Sequence, residues 1–564
     1  MSKQTLVIVG GIAAGTSAAT KARRVSEDVT IIVFEKNKDV AYSGCGIPYF
    51  VSGLIKDKDK LLTRSAETFK QRDNIDMITR HEVVKIDNLK KTLLVRDLTA
   101  SSDKEYAYDK LILATGSAPI IPPIPGSKLP HIYSLKTVED ASLLLSHIKS
   151  LKAKRATIVG GGFIGLEMAE SFLQLGMEIT IVEKMSHILP SLDLEMAELV
   201  AAHLRDKGAK IITSDSVKSF SGDVDKGVRN ITTEHGKEIT SDLVLLSVGV
   251  VPNVNLARET GVAIGTTRAI AVDDHMRTNL PDIYAAGDCA ETRNIITGEV
   301  MWMPLGSIAQ KQGRVAGENA AGGNATFPGI LGTTIAKVCE LTIAKTGLSQ
   351  EEAEQRGLPI ISSTIHPFDH THYYPEAHEI ALKLVANKEM GRLLGAQAIG
   401  KSGVDRSIDV LAVAISKGAI IEELGYLDLA YSPPYSTAKD AVNIVGNVIT
   451  NKYTGMADSI SSAELKSKLE SDSDFILLDV RSNTEYQAGH LPKAKLIPLG
   501  ELRRRLTELE DNKEIITFCH QGLRAYLAYR ILKNSGFTRV AYHDGGIASW
   551  PYEVEHSPVN EITP

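Results

Sequence analysis

The residue of this chain best placed to do chemistry is Cys45, in the stretch Ala41-Tyr42-Ser43-Gly44-Cys45-Gly46-Ile47-Pro48-Tyr49. It has no near partner. A thiol pair built for redox work shows two cysteines a few residues apart, yet the next one here is Cys289. Whatever Cys45 does therefore needs a sulfur or oxygen from outside the chain. Taken alone, such a cysteine is more often a buried, inert packing residue. Glycine-rich nucleotide signals in the same chain turn the reading towards catalysis.

Two stretches share one grammar that would position this thiol. Thr5 to Val9 is an apolar, β-branched run, followed by Gly10-Gly11-Ile12-Ala13-Ala14-Gly15 and a helix over Thr16 to Arg24. Such a turn brings backbone close to a pyrophosphate, while the helix N-terminus offers unpaired N–H groups. The next strand, Thr30 to Phe34, ends at Glu35, about twenty residues on, where a carboxylate binds a ribose hydroxyl. Gly10, Gly11, Gly15 and Glu35 are the cofactor residues of this unit; the middle glycine of the fingerprint is replaced by Ile12. A packing turn without nucleotide is the alternative.

The pattern returns in full at Ala156 to Val159, Gly160-Gly161-Gly162-Phe163-Ile164-Gly165, a helix from Leu166, and Ile179 to Val182 ending in Glu183. Gly160, Gly162, Gly165 and Glu183 are its cofactor residues. Two dinucleotide units imply a relay between two cofactors, flavin and nicotinamide being the natural pair. Glu183 would accept from a free ribose 2′-hydroxyl and repel a 2′-phosphate, favouring NADH, with NADPH the alternative because Lys184 stands beside it.

The whole chain bounds this reading. Its 564 residues exceed one core and divide into three or four domains at about 150 residues each. Charged residues are 23% and the net charge is -6, which gives no sign of nucleic acid as a partner. No apolar run has the length of a membrane helix, and Met1-Ser2-Lys3-Gln4 leads straight into a strand, so neither a membrane nor a signal peptide is expected. The four cysteines form neither a disulfide framework nor a zinc-ligand spacing. A reducing, cytoplasmic setting fits, with no metal.

Tyr108 to Gly116 reads as a strand into a turn, as do Asp242 to Gly249 and Ile283 to Asp288. With these five ordered motifs the chain, over about residues 1 to 450, resembles the two-dinucleotide flavoprotein disulfide reductases. The resemblance implies that the first unit binds FAD, that Thr115 and Gly116 mark the crossing out of the FAD domain, that Gly249 belongs to the cofactor set, and that Asp288 holds the flavin ribityl chain. Within that family a single cysteine marks the members that reduce peroxide, oxygen or coenzyme A disulfides. Cys45-Gly46-Ile47-Pro48-Tyr49 is most similar to the coenzyme A disulfide reductases, although their Ser-Phe-x-Asn is here Ala41-Tyr42-Ser43-Gly44.

The same resemblance implies further site residues. Segments Phe368 to Pro375 and Leu429 to Tyr435 are similar to those that bring two tyrosines from the partner subunit, matched here to Tyr373 and Tyr431, with Tyr374 in place of Tyr373 if the alignment slips by one. A phenol can give a proton to a leaving thiolate; the alternative is that both are packing aromatics. For coenzyme A, Ser17, Lys21, Arg24, Gly44, Gln310 and Lys439 occupy substrate-contact positions, Lys439 from the other subunit. A solvated helix face accounts for Lys21, Arg23 and Arg24 equally well.

Towards the C-terminus, Leu477-Leu478-Asp479-Val480-Arg481, Gly489-His490-Leu491-Pro492, Cys519-His520-Gln521-Gly522-Leu523-Arg524 and Asp544-Gly545-Gly546 resemble a rhodanese domain. A cysteine after a strand, opening a tight loop into a helix, faces backbone N–H groups that stabilise a thiolate or persulfide anion, and Arg524 adds positive charge. Cys519 is thus the sulfane-sulfur carrier, while Cys289 and Cys339 read as packing residues.

The expected fold is α/β: two Rossmann-like dinucleotide-binding domains, an α+β dimerisation domain and a C-terminal α/β rhodanese domain. The expected boundaries are 1–117 with 250–325 for FAD, 118–249 for NAD(P)H, 326–450 for dimerisation, a linker over 451–460 and rhodanese over 461–564. The implied activity is reduction of coenzyme A persulfide, coenzyme A disulfide or polysulfide by NAD(P)H through FAD and Cys45 in a homodimer, with the rhodanese handling sulfane sulfur. An NADH oxidase or peroxidase, with Cys45 as a sulfenic acid, is the alternative. A flexible linker of this length reaches only about 5–6 Å times the square root of its residue number, which favours free coenzyme A as the shuttle between the two thiols.

Overall fold

A strand that ends in a glycine turn and returns through a helix must pair parallel with the next strand, and the chain does this twice. The computed structural model of the protein describes residues 4–471 and 473–556; Met1 to Lys3, Asp472 and the last residues of the expected rhodanese segment lie outside these. Thr5–Val9 pairs in register with Thr30–Glu35, from Thr5 opposite Thr30 to Val9 opposite Phe34, inside a sheet ordered Ile283–Ala285, Lys110–Leu113, Thr5–Val9, Thr30–Glu35, Asp76–Thr79. Arg155–Val159 pairs likewise with Glu178–Val182 in a second parallel sheet that also holds Lys210–Ile212, Leu243–Leu246 and Ile132–Tyr133. The near-continuous apolar runs of these strands follow from burial on both faces. The chain passes between the two halves through an antiparallel pair, Ser117–Pro119 with Val250–Pro252.

The helix after the first glycine turn, Ala13–Val25, packs along Gly306–Ala320 at very short range because glycine removes the side chains between them. A Cβ on Gly313 would lie 2.2 Å from the Ala14 carbonyl oxygen, and one on Gly317 would lie 2.1 Å from that of Ala18. This contact lets Lys21 of one helix pair with Glu318 of the other at 2.9 Å.

These sheets belong to one compact unit, residues 4–186 and 208–332; residues 187–207 and 333–556 form another. The expected single segment 118–249 is therefore interrupted. Its excursion carries the helix Leu194–Asp206 and is held in the second unit by buried charge. Lys383, on the antiparallel strand Ile380–Asn387, reaches Asp193 at 2.9 Å and also Glu195, while Gln397 donates to Asp193 at 2.6 Å and the Gln350 and Glu351 amides donate to the same carboxylate. A lysine this deeply buried is tolerable only with such partners.

The second unit holds an antiparallel sheet ordered Thr334–Val338, Leu341–Gly347, Leu393–Gly400, Ile380–Asn387, Ile360–Ile365, and a parallel sheet ordered Ser459–Ile460, Val540–His543, Glu514–Phe518, Phe475–Asp479, Lys495–Leu496. The helix Val404–Ser416 packs on the first and Leu523–Asn534 on the second. The expected linker 451–460 differs from what is found. Its opening residues finish the helix Ala441–Tyr453, and Lys452 is anchored by Asp544 at 3.0 Å and by the Ser362 carbonyl, because a helix with a buried face propagates until its capping residue, here Thr454.

Gly317→Val should destabilise the chain by about 1–3 kcal/mol through overpacking, and Gly306→Ala, at a glycine with open space around it, should stay within about 0.5 kcal/mol. Denaturant midpoints of the two variants test this; equal midpoints would contradict the close crossing.

Candidate active sites

Each glycine loop is shaped by atoms that leave no room for a side chain. Gly10 has φ +108, and a Cβ there would sit 2.1 Å from the Ala114 carbonyl oxygen; one on Gly15 would sit 1.8 Å from that of Gly10. In the second loop, Gly160 has φ +106 and a Cβ there would sit 2.5 Å from the Ser247 carbonyl oxygen, and one on Gly165 would sit 2.2 Å from that of Gly160. Gly162 has open space in front of it, the room a phosphate needs. The helices that follow, Ala13–Val25 and Phe163–Gln174, start without a side-chain cap and without an acidic residue in the first turn, so their amides are free for an anion.

The two strand-end carboxylates are fixed in the same way. Glu35 is buried and accepts from the Gly11 amide at 2.8 Å and from the Asn37 amide at 2.9 Å. Glu183 is buried and accepts from the Gly161 amide at 2.6 Å and from the Met185 amide at 2.8 Å. Lys184 is exposed. At the crossing, Thr115 and Asn253 exchange hydrogen bonds of 2.7 and 2.9 Å, and Gly116 and Gly249 both have positive φ, +70 and +104. Asp288 follows the strand Ile283–Ala285 and accepts from Ser117 at 2.8 Å and from Lys136 at 3.3 Å. Backbone cradles, free helix amides and ribose-accepting carboxylates together fit two dinucleotides. Glu35 with the first loop and Asp288 would hold FAD, and Glu183 with the second would hold the nicotinamide nucleotide.

Cys45 lies in the single turn Gly44–Gly46 that starts the short helix Ile47–Val51. That helix packs against Phe163–Gln174, where Ser171 donates to the Pro48 carbonyl at 2.8 Å, so the second glycine unit stands over the thiol. Cys45 is exposed, yet desolvation by surrounding atoms and then the Glu167 carboxylate push its pKa up; Asp288 adds to this and Lys136 opposes it. Glu167 itself, raised by burial and by Glu170, has a pKa of about 7. Sequence reasoning missed Glu167 and Lys136. The signal available for Glu167 was its place one turn after Gly162, on the helix aimed at Cys45.

The expected substrate residues fall in several places. Ser17, Lys21 and Arg24 share the helix Ala13–Val25, with Arg24 exposed and Lys21 paired to Glu318. Arg23 is instead structural: it is buried and donates to the carbonyls of Asp73, Asn74, Ser26 and Glu27. Gly44 and Gln310 are exposed in the first unit, and Lys439 is exposed in the second. Tyr373 and Tyr431 are brought together by a side-chain hydrogen bond, and desolvation followed by that bond raises the pKa of Tyr431. Tyr374 packs edge-on against His370 at 5.6 Å.

Cys519 closes the strand Glu514–Phe518 and is buried. Its Sγ accepts from the Gly522 amide at 3.1 Å, at the uncapped N-terminus of Leu523–Asn534, and it hydrogen-bonds Arg524. Arg524 makes a bidentate pair with Glu485 at 2.6 and 2.8 Å, which holds that carboxyl well below the usual carboxylate range. Cys289 is packed in the core with its Sγ against the Leu113 and Ala286 carbonyls, and Cys339 occupies a turn with φ +54.

The family description of pyridine nucleotide-disulphide oxidoreductases matches residues 4–313, that of their dimerisation domain residues 333–442, and that of the rhodanese-like domain residues 461–552. The chain belongs to the pyridine nucleotide-disulphide oxidoreductase family, whose cofactors are FAD and NAD(P)H. Its relatives narrow the field. A NAD-dependent persulfide reductase from A. fulgidus is 41% identical, with a TM-score of 0.92 over 97% of this chain and 100% of that one. The NAD(P)H sulfur oxidoreductase (CoA-dependent) of Pyrococcus furiosus is 37% identical over 80% of this chain and 100% of its own length, and an NADH oxidase of Methanocaldococcus jannaschii is 36% identical over 79% and 99%.

Glu167→Gln should speed alkylation of Cys45 by iodoacetamide several-fold at pH 8, since a carboxylate that opposes the thiolate is removed. At pH 6, below the Glu167 pKa of about 7, the wild-type carboxyl is already mostly neutral and the difference should vanish. Equal rates at both pH values would refute the coupling.

Proposed function

We propose that this chain is a homodimeric, FAD-dependent reductase that uses NAD(P)H, preferably NADH, to reduce coenzyme A persulfide, coenzyme A disulfide or polysulfide at Cys45, with Cys519 of its rhodanese domain as the carrier of sulfane sulfur. The observation that carries this reading is a lone exposed thiol under two dinucleotide loops, in one chain with a second thiol held among N–H donors. We divide the chain at the boundaries the sequence suggests, with 187–207 assigned to the second unit and the last dimerisation-domain helix carried through to Tyr453. The four cysteines, none of them in a disulfide among the described residues, support a reducing, cytoplasmic setting, and no helix among those residues is long and apolar enough to cross a membrane.

In the first step the Cys45 thiolate attacks the coenzyme A sulfur of the substrate; a sulfur–sulfur bond to Cys45 forms, the substrate's own breaks, and hydrosulfide or coenzyme A thiolate leaves with the electron pair. Tyr373 and Tyr431, offered by a second copy of the chain, supply a hydrogen bond or proton to that leaving sulfur. Ser17, Lys21, Arg24, Gly44, Gln310 and Lys439 would line the coenzyme A path, the cations facing its phosphates. When bound, FAD and the nicotinamide nucleotide supply the two electrons that cleave the Cys45 disulfide and restore the thiolate. Glu167, while charged, raises the pKa of Cys45 and so lowers the fraction present as thiolate. Shuttling by free coenzyme A agrees with the anchored rhodanese, since Lys452 and Asp544 tie it where a flexible linker was expected.

The rival reading, an NADH oxidase, leaves the rhodanese without a task. Steady-state NADH oxidation with coenzyme A persulfide, coenzyme A disulfide, peroxide and oxygen in parallel separates them: the sulfur substrates should turn over at least about tenfold faster per active site than oxygen. Cys45→Ser should abolish that turnover while FAD stays bound, and near-normal turnover would sink the mechanism. Cys519→Ser should spare the reduction of small coenzyme A substrates. Glu183 should make NADH the better donor, and equal kcat/KM with NADPH would overturn that role.

A further inference from the structure

The Cys519 loop is completed from outside the rhodanese fold. Within that fold, the Gly522 amide donates to Sγ at 3.1 Å, while the Cys519 and His520 carbonyls accept from the Ile547 and Ala548 amides at 2.8 and 3.0 Å. The segment supplying those amides is held by the antiparallel sheet of the dimerisation domain: Asp544 accepts from Ser363 at 3.1 Å and from the Thr364 amide at 3.2 Å, and Ser549 bonds His366 at 2.6 Å. One dimerisation-domain side chain reaches the thiol loop itself. Glu379 accepts from the Gln521 side-chain amide and stands 3.6 Å from His520 Nε2 through the same oxygen.

We propose that Glu379 is a positioning residue for sulfur transfer at Cys519: by holding His520 and Gln521 it fixes the loop whose amides and Arg524 receive the charge on the thiolate and persulfide. His520 lowers the pKa of Glu379, so the carboxylate is the form that holds the loop. His520 and buried His366 are the titratable groups that act on it, and Asp544 in turn acts on His366. The role has a physical reason. Gly522 and Gly546 leave the loop backbone with φ of +102 and +65 and no side chains at these points to lock it, so the neighbouring residues His520 and Gln521 must be held by their side chains. Burying a thiolate among N–H donors stabilises it only while those donors stay aimed.

This rests on the sulfur-carrier reading of Cys519. With thiosulfate as probe donor, the Cys519 thiolate attacks the outer sulfur, the Cys519–sulfur bond forms, the thiosulfate S–S bond breaks and sulfite leaves with its electron pair. Cyanide then takes the outer sulfur as thiocyanate and the thiolate returns, with no net oxidant or reductant required.

The test follows thiocyanate formation by the full-length holoprotein without nicotinamide nucleotide. Glu379→Ala should lower kcat roughly tenfold with the thiosulfate KM within about twofold, Glu379→Gln should recover most of kcat, and Gln521→Ala should be strongly non-additive with Glu379→Ala. A purely structural role would instead lower the melting temperature in both variants and give no rescue by Gln. Alkylation of Cys519 by iodoacetamide, read by peptide mass, is measured alongside because it needs no turnover. A wild type no faster than Cys519→Ser with thiosulfate would refute the carrier reading, while an altered Cys519 alkylation rate in Glu379→Ala would still uphold the positioning. Unchanged turnover and unchanged alkylation in Glu379→Ala overturn it.

Discussion

The structure depends on one recurring interaction, the exposed N-terminal amides of a helix waiting for an anion. Three helices are built for it, Ala13–Val25, Phe163–Gln174 and Leu523–Asn534. Each follows a glycine with φ above +100, Gly10, Gly160 and Gly522, and each lacks both a side-chain cap and an acidic residue in its first turn. Helices starting at Val138, Gln350, Ser462 and Asn483 show the opposite, each closed by a Ser or Thr capping box with Asp or Glu in the first turn. Capping satisfies the orphan amides within the chain. Leaving them open sacrifices about 1 kcal/mol of helix stability per end and keeps the donors available to an anion.

The same logic explains where negative charge is allowed. Glu35 and Glu183 stand at strand ends where the Gly11 and Gly161 amides hold them, outside the first helical turns. Glu167 is the exception, a carboxyl placed next to the reactive thiol. Its own high pKa limits the conflict, since near neutrality it is only partly charged. Lys136 and Ser117 on Asp288 serve a related purpose, tying down the other carboxylate that burdens Cys45.

Much of this was legible in the sequence because it is written in local chemistry. Strand, glycine turn, helix and terminal glutamate lie within one short window, and four of the loop glycines, Gly10, Gly15, Gly160 and Gly165, face backbone atoms that no Cβ could tolerate. Cys519 and Arg524 were legible for the same reason, while the Arg524–Glu485 pair was not, since its members are far apart in the chain. Asp193, Lys383 and Gln397 form a buried cluster from three distant segments, and nothing local reveals that 187–207 leaves its parent domain. The linker over 451–460 misled for a different reason. Its composition is polar, but Lys452 is polar because it meets Asp544, not because it faces water alone.

A sulfur carrier joined to its reductase by a loose tether would need only a long linker, and the fused chain does something else. The segment from His366 to Glu379 touches the rhodanese at both of its ends, through Ser549 and through His520 with Gln521. Between those ends it carries Tyr373, bonded to Tyr431, and Asp369, which fastens the segment by accepting from the His370 and His378 amides and from Ser402. Thr371 adds a bond to the Pro433 carbonyl at 3.0 Å, joining the segment to the stretch that holds Tyr431. The seat of the rhodanese and the support of the tyrosine pair are thus one continuous piece of chain. A carrier seated in this way is fixed at several points by side chains of one hydrogen-bonded segment, which a loose tether would not provide.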